Sequence, residues 1–498
     1  MEGYTDSIPE SPRDGYRKMW EWLNETLLSF REKFTREIPF RRFVVIVLGF
    51  MTWKESVGVT SFIRELWLDP CHYEAVLHFF RSTAWGLDAL RDMWVRVVAN
   101  SGVIFREWGM PILVGDGTKK SKEGKRMPCV KKLFQESENS AKPAYMFGHM
   151  FGTIGVLAGG LGKLFCVPLS MRIHDGDKQI HQWADPGAVS ESHVVRIIRE
   201  ASHVAKQLTK AILLLDRYYL SVPALTAWIK EEQRAGRPLL SIVTRAKSNA
   251  RAFEKPVRKP GRGRPPVRGN EVKLRSLFAT RKDEFTQATL TMYGKQETVL
   301  FLCVDLLWGE KLYQELRFVL VKLGTKTSIF VSTDLTLSPE QIIRLYSYRF
   351  KIECCFRELK QVIAGFAYHF WTSAMPKLDR YAKSGTDQLE AVTAEKDRKR
   401  ITAAYNATQG FVMIACIAMG LLQIASLRFA DEINASPLRW LRTRTNLIPS
   451  EASTADFMRK TIFRMFASGT PLPIIRFIRQ LQHDPPDTAC NPGLKRSV

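Results

Sequence analysis

The sequence predicts an α/β protein whose sheet-forming core is interrupted by a β-rich insertion and flanked by all-helical segments. Two apolar runs, residues 111–115 and 211–215, each lead into an aspartate, and a helical period lies between them. Short alternating runs fill residues 247–335 and have the period of paired strands. Helical spacing of Leu, Trp and Phe fills residues 39–105, and residues 407–427 form the most apolar stretch of the chain.

In chain order, residues 1–38 are polar with one amphipathic segment at 16–30, and the first residues lack the pattern of a signal peptide. Arg41 and Arg42 open an apolar run too short to span a bilayer. Residues 39–105 then read as a compact helical domain, expected to bind DNA. Gly58-Val59-Thr60-Ser61 suits a helix-turn-helix or an ordinary helix pair equally well. The apolar strand before Asp116 is expected to end at Asp116-Gly117, and a basic solvated loop carrying Lys119, Lys120, Lys122, Lys125 and Arg126 follows. Strands are expected around 151–160 and 164–173, a helix over 193–208, and strands again at 211–216 and 239–245. Residues 255–268 are a Pro/Gly/Arg loop that opens the β-rich insertion. Residues 407–427 are long enough for a membrane span, but Thr408, Gln409, Gln423 and Ser426 favour a buried core helix. The Pro- and Arg-rich residues 431–498 are expected to be a peripheral basic tail with a frayed end.

The chain has 498 residues, 74 Lys+Arg against 50 Asp+Glu, and a net charge of +24. That excess predicts a polyanionic partner, nucleic acid before membrane, because many phosphates can be neutralised together. The eight cysteines show neither zinc-site spacing nor a disulfide framework, so a reducing, cytoplasmic setting is expected.

Residues 345–361 carry the densest chemistry. Tyr346, Arg349, Glu353 and Lys360 sit at i, i+3, i+7 and i+14, so at about 100° per residue they would share one helix face within roughly 60°. Leu345, Ile352, Phe356, Leu359 and Ile363 form a neighbouring apolar stripe. Ser338-Pro339-Glu340-Gln341 has the form of a capped helix start. A carboxylate flanked by two cations stays ionised beside a phosphate-bearing partner. Asp116, Asp216 and Glu353 are therefore three acids that the crevice of an α/β sheet can bring together. Three clustered carboxylates repel unless cations neutralise them, and hard oxygen ligands suit Mg²⁺ or Mn²⁺.

This pattern resembles the DDE transposases of bacterial insertion sequences, in the group with the Y-x2-R-x3-E-x6-K signature. Tyr346, Arg349, Glu353 and Lys360 match that signature at every position and spacing, and Asp116 in VGDGTK and Asp216 in LLLDRYYL match its two aspartate strands. The resemblance covers residues 105–430. It implies an RNase H-like core, residues 106–246 and 336–430, split by the insertion at 247–335. It implies that Asp116, Asp216 and Glu353 are catalytic and hold two Mg²⁺ or Mn²⁺ ions. Tyr346, Arg349 and Lys360 would contact phosphates of the transposon-end strand. Arg217 would be a further DNA contact or a surface ion pair. A related group stacks a Trp on a flipped base from a position that is Ser328 here, so Trp308 takes that role or is a β-core residue. Arg262 and Arg264 form a minor-groove hook or a flexible basic loop. The implied activity is cleavage of the element's ends and transfer of their 3′-hydroxyls to target DNA. A homodimer on paired double-stranded ends is expected, with no membrane. The other reading is a catalytically inactive, transposon-derived DNA-binding protein.

Overall fold

The computed structural model describes residues 12–52, 58–135, 143–257, 265–292, 294–381, 387–436 and 447–482. Arg262 and Arg264 lie outside the described residues. The chain opens with α1 (Pro12–Leu28), α2 (Glu37–Thr52), α3 (Val59–Glu65), α4 (Tyr73–Arg81) and α5 (Leu87–Asn100). Met19, Trp20, Leu23 and Leu27 recur every three to four residues on α1 and are buried, as an amphipathic helix requires. The apolar run expected after Arg42 is α2, which is buried from Phe43 to Thr52.

Next come β1 (Arg106–Glu107), β2 (Met110–Ser121), β3 (Lys131–Phe134), β4 (Tyr145–Gly160), β5 (Lys163–Ile173), α6 (Lys178–Ala184), α7 (His193–Gln207), β6 (Ala211–Leu214), α8 (Val222–Ala235) and β7 (Leu240–Arg245). Strand β4 lies antiparallel between β2 and β5, and β6 and β7 run parallel to β2. The spatial order is β5-β4-β2-β6-β7. Ala211 to Leu214 are fully buried, which explains an apolar run without alternation.

The insertion contributes β8 (Arg251–Phe253), β9 (Glu271–Lys273), α9 (Leu277–Thr280), β10 (Thr286–Met292), β11 (Lys295–Trp308), β12 (Gln314–Leu323) and β13 (Lys326–Ser332). Its strands do not stand apart. Strand β13 pairs antiparallel with β7, so the insertion lengthens the core sheet through β12 and β11. It also builds a small core of its own from Leu274, Leu302, Leu316, Phe318 and Leu320.

Helices α10 (Pro339–Ser347) and α11 (Lys351–Gln361) follow. The expected helix start is present as a reciprocal capping box: Ser338 Oγ accepts from the Gln341 N–H, and Gln341 Oε1 accepts from the Ser338 N–H. Ser338→Ala should lower stability by about 1 kcal/mol, read as an earlier urea midpoint with an unchanged slope. The single helix expected across the signature is corrected to two. Tyr348, Arg349 and Phe350 form a tight turn in which the N–H groups of Tyr348, Arg349 and Lys351 bond three residues back.

The remaining helices are α12 (Glu395–Arg428), α13 (Ala430–Ala435), α14 (Glu451–Ala467) and α15 (Pro473–Arg479). Among the described residues, α12 is the one helix long and apolar enough to cross a membrane, and 94% of its apolar window is buried by the rest of the chain. It packs on β5, α2 and α4, the place of a core helix. The peripheral tail expected after residue 431 is corrected within the described residues. Met458, Ile462, Ile474, Ile475 and Ile478 are buried, and α14 and α15 pack on α2.

Candidate active site

The parallel strands place both aspartates at one end of the sheet. Strand β6 pairs with β2 as far as Val114, and Asp116 lies two residues further on. Asp116 was expected at a strand tip, but β2 continues to Ser121 because β4 keeps pairing with it, Asp116 opposite Thr153. Asp216 lies two residues past the end of β6, and its main-chain oxygen accepts from Thr244 Oγ1 at 2.9 Å.

The turn between α10 and α11 delivers the signature residues to these strands. Tyr346 is buried on α10 and its hydroxyl donates to Asp216 Oδ1 at 3.4 Å. Arg349 lies in the turn itself. Its Nη1 donates to Asp116 Oδ2 at 3.1 Å, and its Nη2 pairs with Glu353 Oε1. Lys360 Nζ donates to Thr118 Oγ1 at 2.8 Å, two residues beyond Asp116 on β2. One guanidinium thus ties the first acid to the third, and one phenol touches the second.

Burial pushes the Asp116 carboxyl up to about 6, and the charges of Asp216 and Glu353 add to that rise. Arg349 and the Gly117 N–H, which donates to Asp116 Oδ1 at 2.7 Å, pull it back down. Burial opposes the charge of Arg349, yet Asp116, Tyr346 and Glu353 together hold its pKa above the usual value. Burial also raises the Tyr346 phenol, so this hydroxyl stays a donor.

Among the described residues, no group of three or more His, Cys, Asp or Glu side chains is drawn together closely enough to hold a metal ion. The donor set nevertheless fits a hard divalent cation. Its members are carboxylate oxygens, Asp116 and Glu353 converge on one positive group, and the charges of Asp216 and Glu353 raise the cost of ionising Asp116.

A cavity of about 580 Å³ opens beside the acids, lined by Asp116, Asp216, Lys119, Lys131, His193 and Tyr218. Sequence reasoning missed the polar column on its wall. Tyr219 Oη lies 3.4 Å from Asp116 Oδ1 and 2.8 Å from His193 Nε2. His193 Nδ1 lies 2.8 Å from His174 Nδ1, and His174 Nε2 donates to Glu200 Oε1 at 2.9 Å. The signal was Tyr219 itself, three residues after Asp216, whereas the other members are scattered in sequence.

Arg217 is exposed at the start of a 3₁₀ turn and forms no ion pair among the described residues. Trp308 ends β11 and packs on the core of the insertion. His149 is buried, bonded to Tyr368 Oη at 2.6 Å and the Pro128 carbonyl at 2.8 Å, and burial lowers its pKa to about 4. The basic loop expected after Asp116 is corrected at two positions. Lys122 is buried, with Nζ donating at 2.8 Å to both the Phe366 and Tyr368 carbonyls, and burial brings its pKa down to about 7. Arg126 Nη1 donates to the Ser373 and Met375 carbonyls at 3.0 and 2.8 Å. Both side chains hold the segment that follows α11, Lys122 from a buried position and Arg126 from the surface.

No curated protein matches the chain. Residues 169–370 match the profile of the transposase DDE domain, a stretch that holds Asp216, Tyr346, Arg349, Glu353 and Lys360 but begins after Asp116. The matched stretch is less than half of the chain, and it makes this region similar to a transposase DDE domain.

Proposed function

We propose that this chain is a transposase of an insertion sequence that cuts the ends of its element and joins the freed 3′-hydroxyls to target DNA. The observation that carries the reading is the Arg349 bridge between Asp116 and Glu353, with Tyr346 on Asp216, in the order and spacing of the signature. The strand order β5-β4-β2-β6-β7, three antiparallel and the last two parallel, supports an RNase H-like core. Asp116, Asp216 and Glu353 are the residues that would hold two Mg²⁺ or Mn²⁺ ions. Such a pair, when bound, activates a water or 3′-hydroxyl and stabilises the leaving oxygen.

The chain's own side chains do the rest. Arg349 offsets the mutual repulsion of Asp116 and Glu353 by bonding both, and its fork suits a phosphate equally well. Released from the acids, it would clamp the phosphate beside the scissile bond. Tyr346 and Lys360 would fix the same strand, because in-line attack needs aligned reacting groups. The net charge of +24 supplies salt-dependent attraction for the duplex. Two ends must be processed together, so a homodimer on paired ends is the working assembly.

The test uses purified protein and a supercoiled plasmid carrying the DNA that flanks this chain's own coding sequence. Mg²⁺ or Mn²⁺ should yield breaks at two defined ends, and Asp216→Asn should yield none. Wild-type protein that shifts the DNA in a gel yet never cuts it would leave only a DNA-binding protein.

A further inference from the structure

Strand β4 carries one face of the sheet from the acids out to a free edge. Thr153 lies opposite Asp116, and residues opposite one another share a face, so the odd-numbered side chains of β4 continue the face that bears Asp116. Beyond Asp116, that face shows Thr118, held by Lys360, and then Lys120. At His149 the floor is the segment after α11, whose Tyr368 covers the imidazole. The face then passes to the β3–β4 ribbon, where Phe147 stands opposite Lys132 and Tyr145 opposite Phe134. At about 3.3 Å per residue, Tyr145 lies roughly 26 Å along β4 from Thr153.

The outer part of this strip alternates rings and cations. Phe134 and Tyr145 are each 52% exposed, and their rings meet edge-to-face at 5.5 Å. Lys132 Nζ sits 4.7 Å over the Tyr145 ring, and the Arg380 guanidinium 5.1 Å over that of Phe147. Among the described residues, Lys120, Lys132, Lys360 and Arg380 form no ion pair, whereas Lys131 on the opposite face pairs with Asp175 at 3.0 Å. Beyond Asp116, no carboxylate stands on this face of β2, β3 or β4.

We propose that this face of the ribbon binds single-stranded DNA, the strand that runs on from the scissile phosphate. Its backbone lies along Lys120, Lys132 and Arg380, and its bases stack on Tyr145 and Phe134.

The occupant follows from the chemistry of the strip. Strand β3 ends the sheet, and lysines on an edge strand ordinarily serve to block pairing with another sheet. Two large exposed rings on the same ribbon work against that purpose, so they need an occupant of their own. Cations without acids select a polyanion, and exposed rings between them select one that shows aromatic faces. A duplex hides the faces of its bases, whereas an unpaired strand offers them. Stacking also tolerates any base, as a flank that changes with every insertion requires.

The direction of the strand rests on the proposed transposase reading, but ring-dependent binding does not, and the test separates the two. Full-length protein is titrated with a mixed-sequence single strand carrying 2-aminopurine. Its fluorescence should be quenched, and Phe134→Ala with Tyr145→Ala should weaken binding about tenfold and abolish the quench, with unchanged circular dichroism. Tyr145→Phe should bind as the wild type does. Lys132→Ala should flatten the slope of log affinity against log salt by about 0.7. An end duplex extended by the strand beyond its cleavage point should outbind the blunt duplex, and the double variant should erase that gain. Strand affinity unchanged in the double variant, or blunt-duplex affinity lowered as much as that of the extended one, overturns the inference. Ring-dependent strand binding by a wild-type protein that cuts no DNA keeps this surface and sinks the transposase reading.

Discussion

Asp116→Asn should abolish strand cleavage and, at neutral pH, raise the melting temperature. The catalytic loss follows from removing one oxygen ligand of a charge-stabilising pair, worth at least ~10³-fold, or roughly 4 kcal/mol. The gain in stability follows from the environment of the same carboxyl. Folding lifts its pKa from 3.8 to about 6, chiefly by burial. The folded state thus binds this proton more tightly than the unfolded one. Its stabilising contribution is complete below the unfolded value, is lost as pH rises through the folded value, and stays lost above it. Two pKa units correspond to about 3 kcal/mol, which partial contact with water reduces to roughly 1–2 kcal/mol. Asparagine never ionises and its Oδ1 keeps the Gly117 N–H. The variant should therefore melt higher at pH 8 and gain little at pH 4. Thermal melts of both proteins at the two pH values check this, with cleavage of a labelled end duplex in parallel. A variant that melts lower at pH 8 would make Asp116 a structural partner of Arg349 rather than a strained acid.

The parts of the site that the sequence displays are local ones. The capping box at Ser338 and Gln341 depends on four adjacent residues, and the apolar run into Asp216 on five, so each can be read without knowing the fold. The burial of the apolar part of α12 was legible because Thr408, Gln409, Gln423 and Ser426 interrupt a run otherwise long enough to span a bilayer. What stayed hidden depends on pairing across long sequence separations. The insertion shows strand periods, but nothing in them announces that β13 would join β7. The turn at Tyr348–Phe350 contains neither Gly nor Pro, so no local signal marks it. Its effect is specific: it lets Tyr346 and Arg349 reach two different strands, which a straight helix presenting both on one face would not do as directly. Lys122 looked solvated because lysines usually are, and only carbonyls contributed from residues 366 and 368 make its burial tolerable. The His174–His193 column needed β5 and α7 to meet above a cross-strand glycine pair, a coincidence of four distant positions.

Arg349→Ala should cut cleavage by about 10²–10³-fold and should do so more severely at low pH than at high pH. Two separate losses combine. The first is a phosphate clamp, a charge-assisted interaction worth a few kcal/mol at a reacting centre. The second acts on the acids. Arg349 is the strongest influence holding the Asp116 carboxyl down against burial, and with it gone only the Gly117 N–H opposes burial, Asp216 and Glu353. The carboxyl then rises above its present value near 6. Below that value Asp116 carries a proton and cannot serve an ion, so the acid limb of the rate profile moves upward in pH. Near pH 6.5 both losses apply, whereas near pH 8.5 Asp116 is ionised in either protein and only the clamp is missing. Arg349→Lys should restore little, because a single ammonium cannot bond Asp116 and Glu353 from opposite arms of a fork as Nη1 and Nη2 do. The measurement is single-turnover cleavage of a pre-nicked end duplex at saturating Mn²⁺, from pH 6 to 9, with binding followed separately. A constant wild-type to variant ratio across that range would confine Arg349 to the phosphate. A ratio that widens as pH falls would place it where the geometry does, between the DNA and the carboxylates that cut it.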